Sequence, residues 1–203
     1  MGKGGREMDA SVWEELLRHL SEELLRDPDS ANGLPADVRA SGWLGYPGAT
    51  EDQIARAEDH LGVTLPLSYR TFLKVSNGWR RTIQYVQLWS TEEIEWFSVR
   101  NQGWIDIVNE NPLPVSDADY FVYGEEQKTY NMRSEYMTTA LEISDNRDSA
   151  VYLLNPRVVT AEGEWEAWEV ANYPGAARFR TFDELMRDEY AMAVRLRDMR
   201  GGS

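Results

Sequence analysis

The chain of 203 residues contains no cysteine. That absence removes disulfides, thiolate metal sites and a cysteine nucleophile together, and it fits a reducing, cytoplasmic setting. Histidine is almost as scarce, with His19 and His60 as the two copies. With no cysteine beside them, two histidines cannot complete a zinc set, and no serine-histidine pair stands out as a nucleophile. His60 has a simpler use. It precedes Leu61-Gly62, a helix stop, where a positive imidazole suits the negative end of the helix dipole.

Long apolar runs are missing too. No stretch reaches the ~18 uninterrupted apolar residues of a membrane span, and the opening "MGKGGREMDA" has no apolar segment behind its charges. No membrane partner is expected. Gly2, Gly4 and Gly5 follow no strand and open no matching helix, so a phosphate-cradling loop is also absent. Basic residues are in deficit: 21 Lys and Arg face 35 Asp and Glu, a net charge of −14. Such a surface repels phosphate backbones and argues against direct nucleic-acid binding.

What is present describes a globular protein. Hydrophobic residues make up 42% of the chain, with eight Trp and ten Tyr, and a chain of this length buries roughly 70% of its unfolded surface. The charge is unevenly spread. Residues 92 to 169 hold 17 acidic against five basic side chains, whereas 178 to 200 carry six Arg. An acidic stretch of that kind speeds encounter with a basic partner, although a charged surface also serves solubility alone.

Periodicity organises the chain as helices, then strands, then a helix, an α+β order. Ser11 with Glu14 reads as a capping box opening a helix over 11 to 26, and Thr50 with Gln53 opens a second. That second helix ends at Gly62, Pro66 starts a third, and Asn77-Gly78 closes it before Trp79. Between the first two, residues 27 to 49 are rich in Pro, Gly, Ser and Asn and read as loop, with Trp43 and Tyr46 as anchors. The runs 82 to 89, 137 to 144, 149 to 155 and 164 to 172 read as strands. Residues 92 to 109 allow another short helix, 110 to 136 a long loop with a strand at "YFVY", and Thr181 starts a C-terminal helix. The expected division is an N-terminal helix and linker at 1–40 and a main domain at 41–200.

One stretch goes beyond periodicity. "SGWLGYPGATEDQIARAEDHLGVTLPLSYRTFLKVSNGW" closely resembles the signature of the SUKH superfamily, in its Smi/Knr-type domain. Tyr46-Pro47-Gly48, the helix from Thr50 to His60, Leu61-Gly62, Leu65-Pro66, Tyr69, Phe72-Leu73 and Asn77-Gly78 carry the likeness. Looser matches follow in "STEEIEW", "ALEISDNRDSAVYLLNP", "GEWEAWEV" and "RTFDEL", so residues 42 to about 190 are covered. Asn155-Pro156 stands where the family usually has Asp-Pro, and the 100 to 136 segment is long. The resemblance implies a single twisted, mostly antiparallel sheet flanked by helices, here with an N-terminal helical extension. It also implies a binding module without cofactor or turnover: many bacterial members are immunity proteins that block a polymorphic toxin made beside them, and fungal relatives act in cell-wall signalling.

The candidate partner is therefore a cognate protein toxin with a basic face, such as a nuclease, met by an acidic surface. Glu92, Glu93, Glu95, Asp145 and Asp148 are the electrostatic candidates, and Trp96 and Trp104 the apolar anchors, since Trp is enriched at binding hot spots. Each has an ordinary alternative role as solvated rim or core. A second reading is a regulatory scaffold without a toxin, with helix 11 to 26 as the candidate homodimer contact. A third is an enzyme using paired carboxylates such as Asp117 and Asp119, which ranks last because such pairs recur by chance in so acidic a chain.

Overall fold

Asp9 starts the first helix. The computed structural model describes residues 9–112, 114–146, 150–171 and 175–201. In it the Asp9 carboxylate accepts from the backbone N–H of Ser11 (2.9 Å) and Val12 (3.1 Å), so helix α1 (Ala10–Arg26) is capped by Asp9 and not by Ser11. A carboxylate answers both the unpaired donors and the positive helix end. Short helices α2 (Pro28–Ala31) and α3 (Ala36–Ser41) occupy much of the stretch expected to be loop. Asp27 accounts for the first of them: it accepts from the Ser30 N–H, and Pro28 at the first helical position loses no needed donor.

Helix α4 (Glu51–Leu61) has the expected capping box, with Thr50 accepting from the Gln53 N–H and Gln53 from the Thr50 N–H. It ends at Gly62, whose φ of 70° a side chain would resist. Pro66 is the N-cap of α5 (Leu67–Val75), which buries Tyr69, Phe72 and Leu73. The corner is stiff because backbones meet. Ala49 N–H donates to the Leu73 carbonyl (2.7 Å) and Asn77 N–H to the Pro47 carbonyl (3.2 Å). A Cβ on Gly48 would lie 1.9 Å from the Lys74 carbonyl oxygen, so only glycine allows the approach.

Next come β1 (Glu95–Trp96), α6 (Phe97–Asn109) and α7 (Asp117–Tyr120). Strands β2 (Leu141–Glu142), β3 (Val151–Val159), β4 (Trp165–Ala171) and β5 (Gly175–Phe179) follow, and α8 (Phe182–Gly201) closes the order. Among the described residues the strands form one antiparallel sheet in the order β1-β2-β3-β4-β5. Three expectations are corrected. Residues 82–89 join the sheet only through the isolated bridge of Leu88 with Ser144, because Thr82 to Tyr85 form a turn. The first half of 137–144 is a 3₁₀ turn, Ser134–Thr139. "YFVY" is no strand, because Tyr120 ends α7 and its side chain is drawn inward. Strand β5, unanticipated, is short and lacks β-branched residues.

The sheet is buried on both faces. On one face Tyr152, Leu154 and Ala167 pack with α1, α4, α5 and α8, where Trp13 lies 5.5 Å from Phe72 and 5.6 Å from Phe182, ring to ring. The apolar stripe of α1 is thus spent in the main core. On the other face Val151, Leu153, Trp168 and Val170 pack with Phe97, Ile105, Tyr120 and Met137. This second face also holds charge. Glu166 is fully buried and its carboxylate accepts from five donors: Tyr120 Oη (2.6 Å), Tyr123 Oη (2.8 Å), Asn155 Nδ2 (2.9 Å), Trp168 Nε1 (2.7 Å) and Arg178 Nη1 (3.3 Å). Arg178 stacks over the Tyr120 ring at 4.1 Å. Tyr120 and Tyr123 belong to the long 110–136 segment, so this one carboxylate ties that segment to the sheet.

Two predictions follow from these buried groups. Removing one partner of a buried ion pair strands the other, so Arg178→Ala should lose about 3–5 kcal/mol of stability in urea unfolding. Adding Glu166→Gln should recover part of that loss. Glu189, on α8, is 2% exposed and accepts from the Ile83 N–H (2.9 Å) and the Tyr152 hydroxyl. Burial, aided by the charges of Glu169 and Asp188 and opposed by those two bonds, pushes its carboxyl up to about 8. The folded state therefore holds a proton that the unfolded chain releases at a lower pH. Stability should be full below the ordinary Glu range and fall as pH rises toward about 8. Thermal unfolding across that range should show this slope, and Glu189→Gln should flatten it.

Candidate functional site

The β1 edge of the sheet gathers carboxylates. The backbone turns at Ser90 to Ile94, where Glu93 caps the turn by accepting from the Ser90 N–H (3.1 Å) and hydroxyl (2.8 Å). Glu92 accepts from Gln53 Nε2 at 2.9 Å, which ties the turn to α4. Burial disfavours the ionised form of Glu92, but hydrogen bonds led by that of Gln53 outweigh it and hold the carboxyl below its usual range. Glu95 behaves likewise. Its Oε2 lies 2.9 Å from His60 Nε2 and its Oε1 accepts from the Trp96 N–H at 2.8 Å. These contacts, with the charge of Arg100, overcome the cost of burial and lower its pKa. Both groups are ionised at neutral pH.

Asp145, just past β2, is fixed against the 82–89 segment: its Oδ1 accepts from the Gln87 N–H (2.6 Å) and its own N–H donates to the Gln87 carbonyl (2.9 Å). The phenol of Tyr46 reports where this leaves it. Burial raises the Tyr46 pKa, Arg80 stacked over the ring at 3.9 Å opposes the rise, and the charges of Glu93 and Asp145 add to it. Glu93 and Asp145 therefore share one electrostatic neighbourhood although 52 positions separate them. Asp148 lies outside the described residues. Trp96 is half-buried against the first core, and Trp104 half-buried against the second, with its ring 5.5 Å from Phe97. The two tryptophans thus belong to different cores.

The sequence reading missed Glu142. It sits opposite Glu95 in the β1–β2 register and is 1% exposed. Leu141 and Ile143 point to the first core, so alternation alone assigns Glu142 to an open face. Helix α6 covers that face instead. Asn101, at the kink in α6, donates Nδ2 to Glu142 Oε1 at 2.9 Å, and Arg100 Nη1 stands 3.6 Å from Oε2. Among the described residues Oε2 has no hydrogen-bond partner. Burial pushes the Glu142 carboxyl up to about 7, against the pull of Asn101 and Arg100. Arg100 also stacks over Trp89 at 4.5 Å and donates to the Glu93 carbonyl at 2.9 Å. The helical reading of 92 to 109 was the one signal that could have covered Glu142.

Chemically this edge can attract a cation and hold it by charge. Among the described residues no group of three or more His, Asp or Glu is arranged to hold a metal ion. No helix there is long and apolar enough to cross a membrane.

The profile of the SMI1 / KNR4 family (SUKH-1) matches residues 48–188. The chain belongs to that family. The match includes both capped corners and the whole sheet, while α1, α2, α3 and the end of α8 fall outside it. Members are generally non-enzymatic interaction domains and commonly immunity proteins of toxin systems. No curated protein matches the chain.

The coupling between Arg100 and Glu142 can be measured. Arg100→Met removes the cation facing Glu142, so the Glu142 carboxyl ¹³C resonance should titrate at a higher pH than the value near 7 of the parent. An unchanged midpoint would show that burial and Asn101 set it without Arg100.

Proposed function

We propose that this SUKH-1 protein is a cytoplasmic immunity protein that binds a cognate toxin and obstructs its active face through the acidic β1 edge. The observation that supports this is that, in a family member of net charge −14, Glu92 and Glu93 lie on the turn before β1, Glu95 begins β1, and Asp145 follows the neighbouring strand β2. Fold alone does not fix function, so the argument rests on this surface. A toxin that handles phosphate, such as a nuclease, presents Lys and Arg, and a fixed acidic edge meets that pattern at low reorganisation cost. Glu92, Glu93 and Glu95 steer and pair. Asp145 extends the field, Asp148 is a further acidic candidate by sequence alone, and Trp96 and Trp104 supply half-buried apolar surface. Inhibition needs only occupancy, so the protein acts stoichiometrically and without turnover.

Co-expression with the toxin encoded beside its gene tests the reading: cells carrying both should survive, and the two proteins should co-purify. Replacing Glu92, Glu93 and Glu95 together with Gln keeps the capping acceptors and removes three charges. That variant should bind the toxin at least tenfold more weakly at low salt and lose most of its salt dependence. Rescue by the variant with unchanged affinity would transfer the contact to another surface. Absence of any rescue by the parent would favour the regulatory-scaffold reading.

A further inference from the structure

Helices α1, α2 and the end of α8, which lie outside the family match, join the 82–85 turn inside it to build a hollow of about 530 Å³, within the size range of small-molecule sites. Its walls come from Leu24 of α1, Pro28 of α2, Ile83 and Tyr85 of the 82–85 turn, and Ala193 and Leu196 of α8. Charged side chains share the lining with these apolar ones: Glu23, Arg26, Asp27, Arg197 and Arg200 also border the hollow.

The charges at the mouth are not equivalent. The acceptors are mostly spent. Glu23 Oε1 takes Arg26 Nη1 (2.5 Å) and Arg197 Nη1 (2.9 Å), while its Oε2 is buried with no hydrogen-bond partner among the described residues. Asp27 accepts from the Ser30 N–H and hydroxyl on one oxygen and from Arg200 on the other. The donors are not spent. Arg26 and Arg200 each use Nη1 alone, so among the described residues Nη2 of both has no acceptor. Their side chains are 57% and 55% exposed. In a chain of net charge −14, this opening presents free guanidinium donors over an apolar floor.

Tyr85 adds an independent sign. Its φ is 62°, in the left-handed region, and among the described residues it is the one non-glycine residue with positive φ. Such strain persists where the side chain has a use, and it clusters at ligand sites. Here it sets a 41%-exposed aromatic ring on the wall of the hollow.

We propose that this hollow binds a small apolar carboxylate, its hydrocarbon part lying against Leu24, Ile83, Tyr85 and Leu196 and its carboxylate held by Arg26 and Arg200. Planar guanidinium groups suit a carboxylate through paired N–H donors. The site is separate from the acidic edge and does not depend on a toxin.

Titration of the full-length protein with octanoate, followed by amide NMR, tests this, with 1-octanol as the neutral control. Octanoate should saturate one site, shift the amides of Leu24, Ile83, Tyr85 and Leu196, and bind at least tenfold more tightly than octanol. The double variant Arg26→Gln with Arg200→Gln should erase that preference. Ala193→Trp should fill the hollow and abolish binding of both; if it fails to fold, Leu196→Glu serves in its place. Tyr85→Gly should raise the thermal midpoint yet weaken octanoate binding, a pairing that a merely structural Tyr85 would not give. Lack of saturable octanoate binding, equal binding of octanol, or binding that survives occlusion of the hollow would each overturn the proposal.

Discussion

The carboxylate of Glu166 is the constraint around which this fold is arranged. A sheet covered on both faces cannot leave a charge unpaired, because an isolated buried carboxylate costs several kcal/mol. Glu166 meets that cost with five donors, four of them drawn from three separate parts of the chain: the 110–136 segment, β3 and β5. Within β4 itself the fifth comes from Trp168. The long polar segment that would otherwise wander is thereby pinned over the second face. Its tyrosines pay for their own burial with the same bonds.

The same face changes character toward its other edge. Register places Glu95, Glu142, Leu153, Trp168 and Arg178 in one row across all five strands. At the β5 end the row closes in the buried pair of Arg178 and Glu166. At the β1 end it holds two glutamates side by side, with Arg100 facing Glu142 and His60 against Glu95. One end is a structural clamp and the other an electrostatic surplus. That surplus sits on a two-residue edge strand, too short to recruit another chain's strand by backbone pairing. Any partner of this edge is therefore recognised by charge and side-chain shape.

Much of this was legible in the linear chain. The α4–α5 corner was readable because each signal in it is local: Thr50 and Gln53 cap each other, Gly62 takes a positive φ, and Pro66 fixes the next start. The clustering of Glu92, Glu93 and Glu95 was readable for the same reason, being contiguous. The strand reading of 82–89 failed because β-branched and aromatic residues mark burial as readily as strand, and the turn at Thr82 to Tyr85 depends on the distant Glu189 accepting from Ile83. Glu142 was misplaced because alternation predicts an open face only when nothing covers it, and α6 does.

By itself, then, the order of residues determined the family, the helix corners and the sign of the surface, since capping, glycine geometry and net charge act over a few positions or over the whole sum. Tertiary structure alone decided which carboxylates are clamps and which are surface. Glu166, Glu142 and Glu95 are the same side chain, and they differ only in what distant segments bring to them: five donors for the first, one donor and a guanidinium at 3.6 Å for the second, a histidine at the rim for the third. The energy of a charge depends on its surroundings, and those surroundings exist only once the chain has folded.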